Sequence, residues 1–486
     1  DALPIYVTSI LEQEWVNGTG YVNVRQTNIE YYPTDTSTTY IVSLPAQQTV
    51  FGCSGATCDD LLSATQYIYD SNANYYDPPT VGNLTATRQA VDDNTWVDTL
   101  MTYDTYGNQT SVTQYTSYGT DSTFASQGAQ TTTTTYDAAL HTYPVTITSA
   151  IASHQVTMTY NTLLNLPVSM TDPNGLATLL CYDSRARLIG SVSGDSANPP
   201  TCNSQMEISM TYHEATESGG VWTPFWTEAT QVLSLDSQGV PDLEISYRKF
   251  YDGIGRKIQT QTVGVDLDGY ADGSQTIIND YFYDLNGLLE FTSMPYNVTT
   301  PAGFSTQPTC TTSTCVSSIY DALSRVIETQ APDGSVSQTA YGLDATEGLR
   351  TITVADTLQN VTTSYQDVWG QTVRVVPETG PWTEYDYDLA GQLVQVDQVN
   401  STGVFASTYM AYDLGGRKVE MNDPDMGVWT YTYNSLNNLI SQTDAKQQET
   451  HLCYDDLNRL IGKYYGSSGD CSTPAGWDVT YYYDAY

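Results

Sequence analysis

One short unit, repeated in phase, constrains this chain more than any other feature. It is clearest at Tyr412–Tyr433, YDLGGRKVEMNDPDMGVWTYTY. A Tyr-Asp pair leads into a Gly-Gly-Arg turn, and an extended run follows through Met421. A second turn falls at Asp423-Pro424, where Pro pre-sets φ and Gly427 accepts a positive φ. Beyond it the pattern has period two: Trp429, Tyr431 and Tyr433 share one face, and Val428, Thr430 and Thr432 share the other. Each unit therefore reads as two short strands and two turns, and units joined end to end form an antiparallel meander.

The copies are counted by their Tyr-Asp anchors. Tyr103-Asp104, Tyr136-Asp137, Tyr160-Asn161, Tyr182-Asp183, Tyr251-Asp252, Tyr283-Asp284 and Tyr320-Asp321 come first. Tyr341, Tyr365, Tyr387-Asp388, Tyr412-Asp413, Tyr433-Asn434, Tyr454-Asp455 and Tyr483-Asp484 complete the series. From Tyr320 to Tyr454 the steps are 21, 24, 22, 25, 21 and 21 residues. A fixed period of this kind marks a repeat architecture.

The units resemble the YD repeats of the RHS repeat family, whose pattern is roughly YDxxGRLxxxxxPxGxxxxYxYD. The resemblance spans residues 61–486. It implies an all-β fold in which a YD-repeat antiparallel meander spirals into a hollow shell or tube, of the kind that encloses a toxin or serves as an extracellular adhesion module. The family's C-terminal core, with paired acidic residues that cut off a variable toxin, is not found in this chain. The resemblance therefore comes without self-cleavage or a toxin cargo.

Composition agrees with a thin, wet sheet. The chain carries 40 Tyr against 8 Phe, and Tyr offers an apolar ring with a polar tip. The net charge is −39, from 55 acids and 16 Lys plus Arg. Such a charge excludes nucleic acid, whose binding depends on neutralised phosphates, and anionic membranes. It favours solubility and cation binding. No apolar run reaches the ~18 residues of a membrane span. The start at Asp1-Ala2-Leu3-Pro4 is read as a mature form whose leader was removed.

The eight cysteines fall as near neighbours: Cys53 with Cys58, Cys181 with Cys202, Cys310 with Cys315, and Cys453 with Cys471. Four local disulfides are expected in that pairing, which places the protein outside the reducing cytoplasm. A zinc site is the competing reading, but no CxxC or His-containing ligand spacing is present. CSGATC rhymes with CTTSTC, and CYDSRARLIG with CYDDLNRLIG. Two superunits, each with one short and one long loop, follow from that rhyme.

Residues 1–60 lack clear repeats and read as an N-terminal cap or assembly segment. DALPIYVTSILEQEW is a strand, or a short helix around Leu11–Glu14, and a hairpin follows about Asn17-Gly18. As a cap the segment covers an open end of the array; as an assembly strand it adds to a neighbour's edge. Residues 203–250 interrupt the period, since Tyr182 to Tyr251 is 69 residues. Trp222, Phe225 and Trp226 there form either an apolar plug or an aromatic contact for a glycan or partner.

Catalytic signals are absent. His141, His154, His213 and His451 are scattered, with no HExxH, GxSxG, P-loop or dinucleotide fingerprint. No enzyme activity and no cofactor are expected. One loop, DLDGYADGSQ, offers Asp266, Asp268 and Asp272 to calcium, although Asp-Gly is also the plainest hairpin turn. Asn17, Asn83, Asn108, Asn297, Asn360 and Asn400 head Asn-x-Ser/Thr triplets and are candidate glycan sites.

Two functions are consistent with these features. In the first, the chain is a secreted structural subunit of an extracellular filament or surface assembly, a homo-oligomer joined head to tail by strand exchange. In the second, it is a shell or adhesion fragment of a larger RHS-type toxin or cell-surface protein.

Overall fold

The computed structural model describes residues 7–16, 20–32, 43–195, 200–202, 206–218, 221–235, 241–264, 275–298, 303–305, 309–466 and 470–483. Among them there is no α-helix, and one 3-10 turn, Pro474–Gly476, is the sole helical piece. No helix is long and apolar enough to cross a membrane. The chain divides into two compact units. The first holds residues 1–156, 366–375 and 380–486; the second holds residues 157–365 and 376–379.

In the first unit, Ser9–Val16 pairs antiparallel with Gly20–Tyr31, which pairs in turn with Pro45–Ser54, and that with Thr57–Tyr69. Residues 9–16 are thus a strand, not the alternative short helix. The ladder continues through Leu84–Ala90, Thr95–Tyr103, Gln109–Tyr115 and Ala129–Tyr136. The boundary read at residue 60 falls inside the strand Thr57–Tyr69, so cap and repeats share one hydrogen-bonded ladder. The same unit contains the most regular repeats. Trp382–Tyr387, Leu393–Asn400, Gly403–Tyr412, Lys418–Asp423, Gly427–Tyr433, Leu439–Thr443, Glu449–Tyr454 and Leu460–Tyr465 pair in sequence order.

The second unit is a meander of the same kind. Its widest ladder joins Phe225–Leu235 to Pro241–Tyr251. The interruption expected at 203–250 is smaller than the sequence spacing implied. Ile208–His213 pairs with Leu188–Asp195 and with Phe225–Leu235, and Tyr212 donates its hydroxyl to Leu188 O, which is the anchor contact described below. A small hairpin, Thr216–Ser218 with Val221–Thr223, departs from the ladder and leaves Trp222 half exposed. Trp226 packs instead: its ring stacks on His213 at 3.6 Å and on Phe250 at 5.2 Å.

Among the described residues, fully buried side chains are few, with Phe250, Ile278, Gln259 and Asp280 of the second unit among them. Among the described residues of the first unit, two small hydrophobic clusters are buried, Tyr32 with Ala46 and Tyr69, and Ala64 with Ala90 and Trp96. Many strands, such as Val361–Gln366, are half-buried at every position. With little burial per residue, order rests on backbone ladders, tight turns and cross-links rather than on a packed interior.

The turns explain the motif. At Asp413 the main-chain N–H donates to Arg417 O, and Gly416 N–H returns to Asp413 O, both at 3.0 Å. The Asp413 carboxylate then accepts from the Arg417 amide at 2.9 Å and from Arg417 Nε at 2.7 Å. Closing this turn forces the third residue after Asp into the left-handed region, where Gly416 sits at φ 78°. The same position is held by Ala186 at φ 62° and by Ser324 at φ 62°. A Cβ there costs about 1–2 kcal/mol, partly offset by the backbone entropy of Gly. Ala186→Gly is therefore expected to raise the unfolding midpoint of the second unit, by about 0.5–1 kcal/mol, and Gly416→Ala to lower that of the first. Urea titration of the two variants checks the opposite signs.

Candidate functional site

Most anchor tyrosines reach back to the preceding repeat, whereas the Tyr160 hydroxyl meets Met158 Sδ in its own strand. Tyr433 donates its hydroxyl to Lys418 O at 2.9 Å, Tyr454 to Leu439 O at 3.0 Å, and Tyr412 to Leu393 O at 2.9 Å. Tyr103, Tyr136, Tyr182, Tyr283, Tyr320, Tyr387 and Tyr483 do the same to Leu84, Gln109, Pro167, Lys257, Leu289, Thr372 and Leu460. The acceptor is the first residue of a strand after an earlier turn, or the second in the case of Pro167. Tyrosine is needed because the bond spans the gap between repeats, which a Phe ring would fill without holding.

Arginine completes the unit. Arg187, Arg256, Arg325, Arg417 and Arg459 each pair with the Asp four residues earlier. Each guanidinium also lies over the next anchor ring, from 3.9 Å at Tyr341 to 5.2 Å at Tyr433. One side chain thus caps its own turn and clamps the following repeat. These partners hold the turn carboxylates below their ordinary range: Arg325 beside Asp321, and the Asn360 amide beside Asp356. At Asp137 the amides of Tyr143, Leu140 and Thr142 have the same effect. At least ten of the eleven arginines are bound to a carboxylate, so the scarce cations are spent within the sheet.

Sequence reading missed two anchors besides Tyr212. Tyr69-Asp70 opens a turn stretched to Asn83, and the Asp70 carboxylate gathers the amides of Thr80, Val81, Gly82 and Asn83. Near residue 365 the turn aspartate is Asp367, whose amide bonds Gln371 O, so Gln366 stands where Tyr is expected. Tyr69-Asp70 has the Tyr-Asp spelling but not the short turn after it, and Gln366-Asp367 lacks the Tyr; in both, a turn aspartate before a strand was the available signal.

The cysteines stand at disulfide distance in four local pairs: Cys53–Cys58, Cys181–Cys202, Cys310–Cys315 and Cys453–Cys471. Cys181 and Cys453 occupy equivalent places, each buried beside an anchor tyrosine and opposite a glycine, Gly190 or Gly462. The short loops are not equivalent. Cys53 faces Cys58 across a hairpin, whereas Cys310–Cys315 closes the turn before a strand. The rhyme of the superunits thus extends to the long loops alone.

Within the first unit, residues 115–130 dock on the late repeats. Ser435 Oγ lies within hydrogen-bond reach of Tyr115 O and Ser117 O, and Tyr118 donates to Tyr433 O at 2.7 Å. Arg417 Nη1 meets the Tyr118 hydroxyl at 3.1 Å. Burial, the largest influence, and Asp413 push the Tyr118 hydroxyl above its ordinary range despite Arg417. Beneath this loop lies a buried pair, Arg88 Nε to Asp98 Oδ1 at 2.8 Å. The second unit has its own buried polar cluster. Gln259 exchanges two hydrogen bonds with the backbone of Ser305 and donates to Asp280, which also accepts from Tyr296.

The surface best suited to a partner is the ladder end at Ser9–Val16. Among the described residues it pairs with Gly20–Tyr31 alone, so its outer edge carries no strand. Ile29 N–H donates to Thr8 O at 2.9 Å, so the amides of Thr8, Ile10 and Glu12 face inward and those of Ser9 and Leu11 face out. Val7, Ile10 and Leu11 are half exposed along it. Arg25 fixes the hairpin from below, pairing with Glu12 at 2.6 Å and lying 5.8 Å over the Trp369 ring. A cavity of about 650 Å³ separates the hairpin from residues 367–391.

The remaining expected sites differ in status. Asp266, Asp268 and Asp272 lie outside the described residues, as does Asn17. Asn108, Asn297 and Asn360 use their amide groups on Asp104, Gln275 and Asp356. Asn83 and Asn400 donate from their side chains to no described partner.

No family model matches the chain, and no curated protein does. Solved structures do. The crystal structure of TcdB2-TccC3 aligns at 14% identity and TM-score 0.70, covering 91% of this chain and 27% of that one. TcdB2-TccC3 without its hypervariable C-terminal region aligns at 13% identity and TM-score 0.70, covering 91% of this chain and 29% of that one. The Photorhabdus luminescens Tc holotoxin pore with a TccC3 mutation gives 13%, TM-score 0.66, and coverage of 92% and 29%. The chain therefore spans under a third of the length of these structures. At such identity the likeness shows the fold, which is the RHS-type β-shell fold.

Proposed function

We propose that the chain is an extracellular structural protein, a wall piece of RHS type with no catalytic role, that joins neighbouring subunits by strand addition at Ser9–Val16. The carrying observation is that edge: outward amides at Ser9 and Leu11 beside half-exposed Ile10 and Leu11, on a hairpin held in place by Arg25. An added strand satisfies the outward amides and covers the apolar side chains together. Four cysteine pairs at disulfide distance suit an oxidising location. The acidic surface repels neighbours everywhere except where backbone pairing outweighs it. Head-to-tail addition of this kind builds filaments or rings.

The test is electron microscopy of the native, unreduced protein beside Leu11→Pro. Proline removes an outward N–H and leaves the inner ladder intact. Uniform assemblies with an axial repeat are expected for the parent, and dispersed particles with an unchanged melting curve for the variant. Equal assembly by Leu11→Pro refutes the joint. Dispersed parent particles favour the second reading, a shell fragment of a larger protein, which the likeness to TcdB2-TccC3 supports.

A further inference from the structure

We infer that Asn400 is an N-glycan acceptor, selected from the Asn-x-Ser/Thr triplets by its local geometry. This rests on the turn alone and is independent of strand addition. Asn400 ends the strand Leu393–Asn400 and faces Gly403 across a two-residue hairpin turn. Its side-chain carbonyl accepts from the Thr402 amide at 2.8 Å and from the Thr402 hydroxyl at 2.6 Å. The hydroxyl of the triplet thereby polarises the carbonyl of its own acceptor amide. That draws electron density from Nδ2 and eases loss of its proton. Nδ2 itself donates to no described group, and Ser401, Thr402 and Gly403 are exposed. Val404 and Phe405, 53% and 56% exposed, offer an apolar surface beside the turn for the face of a first sugar.

The other triplets whose Asn is described fail on these criteria. Asn108 donates to Asp104 and to His141 O, and the Thr110 hydroxyl is joined to Thr102. Asn297 donates to Gln275, and its carbonyl is buried. Asn360 donates to Asp356. Asn83 has a free side chain, but the Thr85 hydroxyl is turned to Ile68 O and the Ser71 amide.

The ligand class is a sugar activated as a polyprenyl diphosphate. Asn400 Nδ2 attacks the anomeric carbon, and a C–N bond forms. The C–O bond to the diphosphate breaks, its electron pair leaves on the phosphate, and the amide proton passes to a carboxylate of the transferase.

The experiment uses the folded, disulfide-intact chain with a single-subunit oligosaccharyltransferase and a polyprenyl-diphosphate-linked sugar. Glycopeptide mass spectrometry reads each site, and the reduced, denatured chain serves as reference. Occupancy of Asn400 at least tenfold above Asn83, Asn108, Asn297 and Asn360 is expected in the folded chain, with that preference collapsing on denaturation. Thr402→Ser should keep modification and Thr402→Val abolish it. An unmodified Asn400, or equal labelling of Asn108, Asn297 and Asn360 in the folded chain, overturns the assignment.

Discussion

Replacing either member of the Arg88–Asp98 pair is expected to produce the largest loss of stability of any single side-chain change in the first unit, about 3–5 kcal/mol. Both groups are nearly sealed from water, at 5% and 1% exposure, so a lone survivor has no solvent to fall back on. The pair also organises the loop above it. Arg88 Nη2 donates to Thr120 O at 2.5 Å and to Thr123 O at 3.1 Å, while Asp98 Oδ2 accepts from the Ala125 amide at 2.7 Å. The guanidinium lies between the Trp96 and Phe124 rings, at 5.4 and 4.8 Å. Gly119 is required for this approach, since a Cβ there falls 2.0 Å from Asp98 Oδ2.

The consequence is not confined to the pair. The loop it holds carries Tyr115–Tyr118 to Ser435 and Arg417, so losing the pair should release the docking of residues 115–130 on the late repeats. Asp98→Asn should speed hydrogen exchange at Gly119–Ala125 and at Ser435 together. Arg88→Met with Asp98→Leu should recover much of the loss, because two apolar groups leave no orphan charge. A cost below about 1 kcal/mol for Asp98→Asn would remove the pair from this role.

Breaking Cys453–Cys471 is expected to be the second large effect, about 3 kcal/mol on the chain-entropy estimate for its separation of 18 residues. The comparison with Cys53–Cys58, separated by 5 residues, predicts a smaller cost of about 2 kcal/mol. The long pair also restrains a weakly held end. Val479–Thr480 adds a two-residue strand to Leu460–Tyr465, and the Trp477 ring lies against Gly462. Cys453→Ala with Cys471→Ala should therefore loosen residues 470–483 first, with a red shift of tryptophan emission before the repeats unfold. Cys181→Ala with Cys202→Ala, across 21 residues, should cost as much in the second unit and leave that emission unchanged. Equal melting curves for the long-loop and short-loop variants would refute the ranking.

Much of this architecture was legible locally. The Tyr-Asp turns, the hairpins and the near-neighbour cysteine pairing depend on residues within about one repeat of each other, and period, turn chemistry and spacing are local quantities. Where the spelling degraded, the reading failed for equally local reasons. Tyr69-Asp70 is hidden by its long turn, Tyr212 lacks a following Asp, and residue 366 is Gln where Tyr was sought. The single-residue strain at Ala186 was invisible, because nothing in YDSRAR announces that the turn drives Ala to a positive φ.

By itself the sequence determined the repeat and the all-β meander, since period and turn chemistry are local; the bond of a Tyr hydroxyl one repeat back and the Arg clamp on the next ring came from the structure. Tertiary structure alone decided which polar groups are buried and what they hold. Arg88 and Asp98 look like any cross-strand pair until the loop at Thr120–Ala125 seals them from water. Tyr118 and Ser435 meet partners 315 and 320 residues away, a separation at which no pattern in the chain records the contact. The physical reason is that hydrogen-bonded ladders are chosen by neighbours, whereas burial is conferred by whatever segment the folded sheet brings to lie on top.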